Sequence, residues 1–176
     1  ASAAAELDDC GTGRVIGVPA DVASTDEVDQ LLDRAIEEFG RIDLLVNNAA
    51  VWPEEESLVE STVDQWDHTM AVNVRAQYYA ARRVARHMID EGIEGCIVNH
   101  TSQAGDRRTG TFGLYGISTT SINGLTWRRA QELADHGIRM NAIATEVQEP
   151  SQRPHEAERT AKGAPTRTTR GALRER

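Results

Sequence analysis

Ser102 and Tyr115 stand thirteen positions apart in this chain of 176 residues. Ser102 ends the stretch Cys96-Ile97-Val98-Asn99-His100-Thr101-Ser102, where an apolar run gives way to hydroxyls. Tyr115 opens Tyr115-Gly116-Ile117-Ser118-Thr119, where a helical pattern begins. Gly105, Gly110 and Gly113 lie between them, so a loop can fold both hydroxyls toward one cleft. A phenol can serve as an acid–base group, but an unperturbed one titrates near about 10 and has to be brought toward working pH. Taken alone, a Tyr at a helix start more often packs, a Ser at a strand end more often caps, and an Asn in a helix such as Asn73 more often sits on the surface. His68, His87, His100, His136 and His155 show no metal-ligand spacing, and neither do Cys10 and Cys96, so no metal is expected. Trp52, Trp66 and Trp127 read as core or interface residues.

The elements that must carry these groups can be read in order. Residues 3–9 read as the end of a helix, and residues 14–22 as a short β-branched strand. Gly11-Thr12-Gly13 with Gly17 has the wrong spacing and the wrong strand order for a phosphate-binding fingerprint, and reads as a turn. Ser24-Thr25-Asp26-Glu27 is a capping box. It opens a helix with Val28, Leu31, Leu32, Ala35, Ile36 and Phe39 at helical spacing, and Gly40 stops that helix. Residues 41–50 read as a strand apolar enough to be covered on both faces. An acidic loop follows, then a long helix over about 61–89 with the stripe Val63, Trp66, Met70, Val74, Tyr78, Ala81, Val84 and Met88. Residues 95–99 form the next strand, about 114–136 a helix ending at Gly137, and 138–144 a last strand. Alternating strands and helices predict a parallel sheet with helices on both faces.

Composition bounds the setting. An apolar share of 39% and a charged share of 27% suit one globular domain, predicted over residues 1–150. No apolar run is long enough to span a bilayer, and the opening residues lack the pattern of a signal peptide. The cytoplasm is therefore the expected compartment, with free thiols and no membrane partner. A net charge of −9 argues against a nucleic-acid partner. Residues 151–176 hold seven basic and three acidic groups, which leaves −13 on residues 1–150. That basic segment has Leu173 as its one large aliphatic residue and is expected to be a disordered tail.

Six features in order give the chain a resemblance to the short-chain dehydrogenase/reductases over about residues 3–144. They are Asp21-Val22, Asn47-Asn48-Ala49-Ala50, Asn73-Val74, Thr101-Ser102 with Gly105, Tyr115, and Gly137-Ile138-Arg139-Met140-Asn141-Ala142-Ile143. The resemblance implies an α/β fold of three αβα layers around a doubly wound, Rossmann-like parallel sheet. It also implies hydride transfer between NAD or NADP and a small-molecule carbonyl or alcohol of the sugar, polyol or 3-oxoacyl class. By the same resemblance Tyr115 is the acid–base group, Ser102 orients the substrate oxygen, and Asn73 holds a proton-relaying water. Asp21 and Val22 would border the adenine, while Asn48, Ala49 and Ala50 would lie against the adenosine ribose. Helices 61–89 and 114–136 would form a homo-oligomer interface.

Three positions depart from the family pattern. The lysine expected one helical turn after the tyrosine is Thr119. The first strand, glycine-rich loop, first helix and second strand have no counterpart, so the resemblance implies a sheet lacking its first βαβ unit. Thr145-Glu146 stands where the family has Pro-Gly. These departures leave open an alternative: a catalytically inactive remnant of the fold that acts only as a helix-mediated interaction or oligomerisation module.

Overall fold

The structure is a computed structural model that describes residues 13–53, 57–106 and 112–145. The predicted helix at 3–9, the loop arginines Arg107 and Arg108, and the predicted tail at 151–176 lie outside the described residues.

Helix α1 spans Thr25–Phe39. The Ser24 hydroxyl accepts from the Glu27 N–H at 3.3 Å, as the capping signal predicts. The reciprocal half differs: the Glu27 carboxylate passes Ser24 and accepts from the Asp21 N–H at 2.8 Å. Asp21 in turn accepts from the Ala23 N–H at 2.9 Å, so the helix entrance is an Asx turn tied to the first helical turn. Gly40 ends the helix at φ 80°, a left-handed conformation that glycine adopts without a Cβ penalty.

Strands β1 (Leu44–Asn47), β2 (Cys96–Ser102) and β3 (Arg139–Thr145) form one sheet in the order β1-β2-β3. Both pairs are parallel; Leu44 registers with Cys96 and Ser102 with Thr145. This is an open, Rossmann-like parallel sheet with flanking helices; the alternating pattern predicts helices on both faces, and the described ones cover one.

Two details are corrected. Residues 14–21 form no ladder, although their composition predicts a strand. A strand needs a neighbour to satisfy its backbone, and among the described residues β1 pairs with β2 alone, leaving its other edge open. Arg14 instead pairs with Glu38 of α1. β1 is also shorter than 41–50 and is not covered on both faces, since Leu44 and Val46 are each 56% exposed. Successive strands step in one direction, and right-handed crossovers then place the connecting helices on one face. That face buries Ile97, Asn99, Thr101 and Met140. The opposite face carries Leu44, Val46 and Ile143 uncovered among the described residues.

The crossover from β1 to β2 is one long helix in three parts: α2 (Val63–Met70), a π-helical turn (Ala71–Arg75) and α3 (Ala76–Asp90). Thr62 and Gln65 form the complete capping box of α2, at 3.2 and 2.8 Å. The single apolar stripe predicted along 61–89 divides in two. Ala81, Val84 and Met88 are fully buried, whereas Val63, Trp66 and Tyr78 are 74%, 41% and 42% exposed. The N-terminal buried face instead runs through Thr69, Val72, Asn73, Ala76 and Gln77.

The core joins Val28 and Leu32 of α1, Val84 and Met88 of α3, Ile97 of β2, and Ile138 and Met140 beside and within β3. Each large aliphatic side chain buried there contributes about 1.5–3 kcal/mol. At its rim the Asp29 carboxylate accepts from Tyr79 and from Arg83, both at 2.6 Å, pinning α1 to α3. Helix α4 (Gly113–Leu133) continues through a 3₁₀ turn (Ala134–His136) to Gly137 at φ 69° and returns the chain to β3.

Candidate active site

Because the three strands are parallel, their C-terminal ends share one edge of the sheet, the edge where open α/β sheets bind ligands. Ser102 ends β2, Thr145 ends β3, and Asn48, Ala49 and Ala50 leave β1 there as exposed residues.

Asn73 joins this edge to α4. It sits in the π-turn and is 3% exposed. Its Oδ1 accepts from the Val51 N–H at 2.8 Å, and its Nδ2 donates to the Val51 carbonyl at 2.9 Å. The same Nδ2 donates to Ser118 Oγ at 3.0 Å, and Ser118 Oγ donates to the Tyr115 carbonyl at 2.8 Å. One buried amide thus fixes the loop after β1 and the first turn of α4. A π-turn widens the helix locally and is frequent at functional sites. Here it carries the one residue that reaches both elements.

Tyr115 is 8% exposed and packs with Ala104 and Phe112. Its hydroxyl has no partner among the described residues. Trp52 stacks on its ring at 4.6 Å between centroids and 12° between planes, and Phe112 meets Trp52 edge-on at 5.7 Å. Ser102 is fully buried. Its Oγ accepts from the Ala104 N–H at 3.2 Å and donates to the Thr145 carbonyl at a long 3.4 Å. Ala104 therefore links the two: it is held by Ser102 and packs on Tyr115. Thr119 is 5% exposed and turns its hydroxyl back onto the Tyr115 and Gly116 carbonyls at 3.1 and 3.0 Å. Gly105 leaves room for this. A Cβ there would sit 2.8 Å from the Thr120 nitrogen and 3.0 Å from Thr119 Oγ1.

The profile of the short chain dehydrogenase family matches residues 1–160. The chain belongs to that family. It is 37% identical over 131 residues to 2-dehydro-3-deoxy-D-gluconate 5-dehydrogenase of Escherichia coli, covering 74% of this chain and 51% of that protein. A short chain dehydrogenase from Mycobacterium smegmatis superposes with a TM-score of 0.76 at 33% identity, over 82% of this chain and 59% of that one. A 3-ketoacyl-(acyl-carrier-protein) reductase from Brucella melitensis, complexed with NADH, gives 0.74 at 27% identity over 79% and 58%. This short-chain dehydrogenase chain spans about half the length of the curated relative it matches.

Of the residues predicted to hold adenosine, Asn48, Ala49 and Ala50 leave β1 at this edge, and Asp21 and Val22 precede α1. Asp21 opens the turn at 21–24, which Arg75 of the π-turn holds through the Ala23 carbonyl at 2.7 Å, and Asn48, Ala49 and Ala50 are exposed. The small side chains of Ala49 and Ala50 leave space for close approach, and Asp21 offers a carboxylate oxygen at the surface.

Beneath the edge lies a polar ladder. Asn47 donates to Asn99 at 2.9 Å, Asn99 donates to Thr126 Oγ1 at 3.0 Å, and Gln77 donates to the His100 carbonyl at 3.1 Å. Among the described residues no group of His, Cys, Asp and Glu could hold a metal, and no helix is long and apolar enough to cross a membrane.

Sequence reasoning missed Trp52, Phe112 and Ser118. Trp52 lies in a loop with no period to betray which way it faces. Phe112 takes φ 78°, a left-handed conformation that a bulky residue rarely adopts and that no sequence pattern announces. The Ser118 signal was present: three positions after Tyr115, it shares that residue's helical face.

Proposed function

We propose that this short-chain dehydrogenase domain acts on the carbonyl or alcohol of a small molecule, in the sugar, polyol or 3-oxoacyl class, with NAD or NADP as cofactor. One observation carries the reading. Among Asn73, Ser102, Tyr115 and Thr119, only Tyr115 keeps its polar side-chain atom free of partners among the described residues, and it does so at the ligand-binding edge. The nicotinamide, when bound, supplies or accepts the hydride. Tyr115 Oη passes the proton to or from the substrate oxygen. Ser102 Oγ orients that oxygen by giving up its long bond to Thr145. Asn73, with both side-chain atoms engaged, anchors the site, and a relayed water would have to be held by its backbone. Asp21, Val22, Asn48, Ala49 and Ala50 would hold the adenosine end. The cytoplasm suits this cofactor and the free thiol of Cys96.

Tyr115→Phe tests the reading. Turnover of NADH or NADPH with a panel of sugar, polyol and 3-oxoacyl carbonyls should fall by about 10²–10⁴-fold, while nicotinamide fluorescence on binding stays unchanged. Turnover unaffected by the loss of the hydroxyl would remove Tyr115 from the mechanism. Thr119→Lys restores the family's cation. A charge within 4–6 Å shifts a neighbour by about 1–3 units, equivalent to roughly tenfold to a thousandfold in rate. A Thr119→Lys variant with no gain on any substrate would assign the limitation to another part of the site.

A second reading, an interaction module formed by helices 61–89 and 114–136, is favoured by their exposed aromatics. Trp66, Tyr78 and Trp127 are 41%, 42% and 71% exposed, and Tyr78 lines a shallow groove with Met70, Val74, Arg75, Ser121 and Leu125. Arg129 lies over the Tyr78 ring at 4.8 Å and ties the two helices into one surface. Sedimentation velocity decides this: a dimer lost on Trp127→Glu supports the interface, and a monomer at all concentrations removes it.

A further inference from the structure

Trp52 follows Val51, whose N–H and C=O are both held by Asn73 at 2.8 and 2.9 Å. The position of residue 52 is therefore fixed by its neighbour's backbone, although its own side chain is 43% exposed. That side chain lies flat on Tyr115, with 4.6 Å between centroids and 12° between planes. Phe112 closes the arrangement from the side at 67°, and it is held at φ 78° with 5% exposure to do so. A bulky residue in the left-handed region is strained, and such strain clusters at functional sites. The ring of Tyr115 is thus walled on one face, while its hydroxyl meets no protein partner among the described residues.

We infer that Trp52 is a positioning residue for Tyr115. Its indole covers one face of the phenol, fixes the plane of the ring and confines the approach of a substrate oxygen to the ring edge that carries Oη. Asn73 sets this arrangement from both sides. It holds Val51 ahead of Trp52, and it holds Ser118, which bonds the Tyr115 carbonyl. The indole face turned away from Tyr115 is then one wall of the path a substrate takes to the hydroxyl, so Trp52 also limits the thickness of what can pass.

This inference rests on the reading of Tyr115 as the proton-handling group, and its test needs neither turnover nor cofactor. Tetranitromethane nitrates a tyrosine ring beside the hydroxyl, and fragment-ion sequencing of the peptides assigns the nitro group to each tyrosine, the adjacent Tyr78 and Tyr79 included. Tyr78, 42% exposed, serves as the reactive reference in the same sample. Tyr79, bonded to Asp29 at 2.6 Å, reports whether the α1–α3 contact survives. In Trp52→Ala the nitration of Tyr115 relative to Tyr78 should rise about tenfold with Tyr79 unchanged. In Trp52→Phe, which keeps a flat ring, it should rise less than twofold. If Trp52→Ala loosens the whole fold and Tyr79 rises too, Trp52→Leu, which keeps bulk without a flat ring, takes its place and should raise the ratio about tenfold. An unchanged ratio in Trp52→Ala, or an equal rise in both variants, overturns the role of the indole. Either failure leaves the Tyr115 reading standing, whereas turnover untouched by Tyr115→Phe ends that reading and leaves the stack in place.

Discussion

The two ends of β2 are held in different ways. At the N-terminal end, Gly95 lies under the fully buried Met88, and a Cβ there would sit 2.4 Å from the Met88 methyl and 3.0 Å from the Asp43 carbonyl. Ile97 follows, fully buried among aliphatic side chains. At the C-terminal end, Asn99, Thr101 and Ser102 are equally buried, yet every one is held by a directed hydrogen bond: Asn99 to Thr126, Thr101 to the Thr119 carbonyl, Ser102 to the Thr145 carbonyl. Packing fixes position and is indifferent to orientation. Hydrogen bonds fix orientation, and they fail as a set when one partner is withdrawn. The sheet is anchored at one end and aimed at the other.

Met88→Ala should give the largest effect on stability, at the anchored end. Emptying a fully buried site costs about 2–5 kcal/mol, read as a lower denaturant midpoint. The near-ultraviolet circular dichroism of the Trp52–Tyr115 stack should persist until the chain unfolds. If the stack were lost first, the two ends would be one unit and the contrast would fail. Asn73→Ala should come next. It strands the Val51 backbone and Ser118 Oγ, costing about 1–3 kcal/mol. Here the stack signal should fade before the global transition, because the amide orients the site end. The smallest effect is expected at the α1–α3 pin. The hydrogen bond from Tyr79, then that from Arg83, holds the Asp29 carboxyl below its usual range, and donating that bond to Asp29 raises the Tyr79 phenol. A lowered carboxylate contributes stability above its usual range and loses it as pH falls through the folded value; a raised phenol contributes below its usual range and loses it as pH rises. Wild type should therefore lose melting temperature at both extremes more steeply than Asp29→Asn, with both site and anchor signals shifting together.

Much of the anchored end was legible in the sequence. Val28, Leu32, Val84, Met88, Ile97 and Ile138 declare themselves by period, and Gly40 and Gly137 mark the helix ends by their type. The family and the edge of the sheet were legible too, through Ser102, Tyr115 and Asn73. The aimed end was less so. Residues 14–22 have strand composition, but composition cannot supply a neighbour to pair with. The stripe from Val63 to Met88 looks continuous because its residues are all apolar, and nothing in their spacing shows that Val63, Trp66 and Tyr78 face outward. Trp52 was overlooked because its direction is set by Asn73, twenty-one residues further along the chain.

The π-turn at Ala71–Arg75 bears on how this chain can change. Such a turn holds one residue more than the α-turn it replaces, and each residue of a helix carries about 100° of rotation. Counted along the sequence, residues before and after it are therefore out of helical phase by about that angle, while in space the two segments keep their faces. Deleting a single residue from 71–75 would restore an unbroken α-helix and leave α2 and α3 facing as they do now, because the widened turn absorbs the extra residue. The widened turn that carries Asn73 to Val51 and Ser118 would be lost, while Trp66 would keep its side. Point substitutions alter one contact at a time, whereas a one-residue deletion here removes the anchor of the site and leaves the outer surface in place.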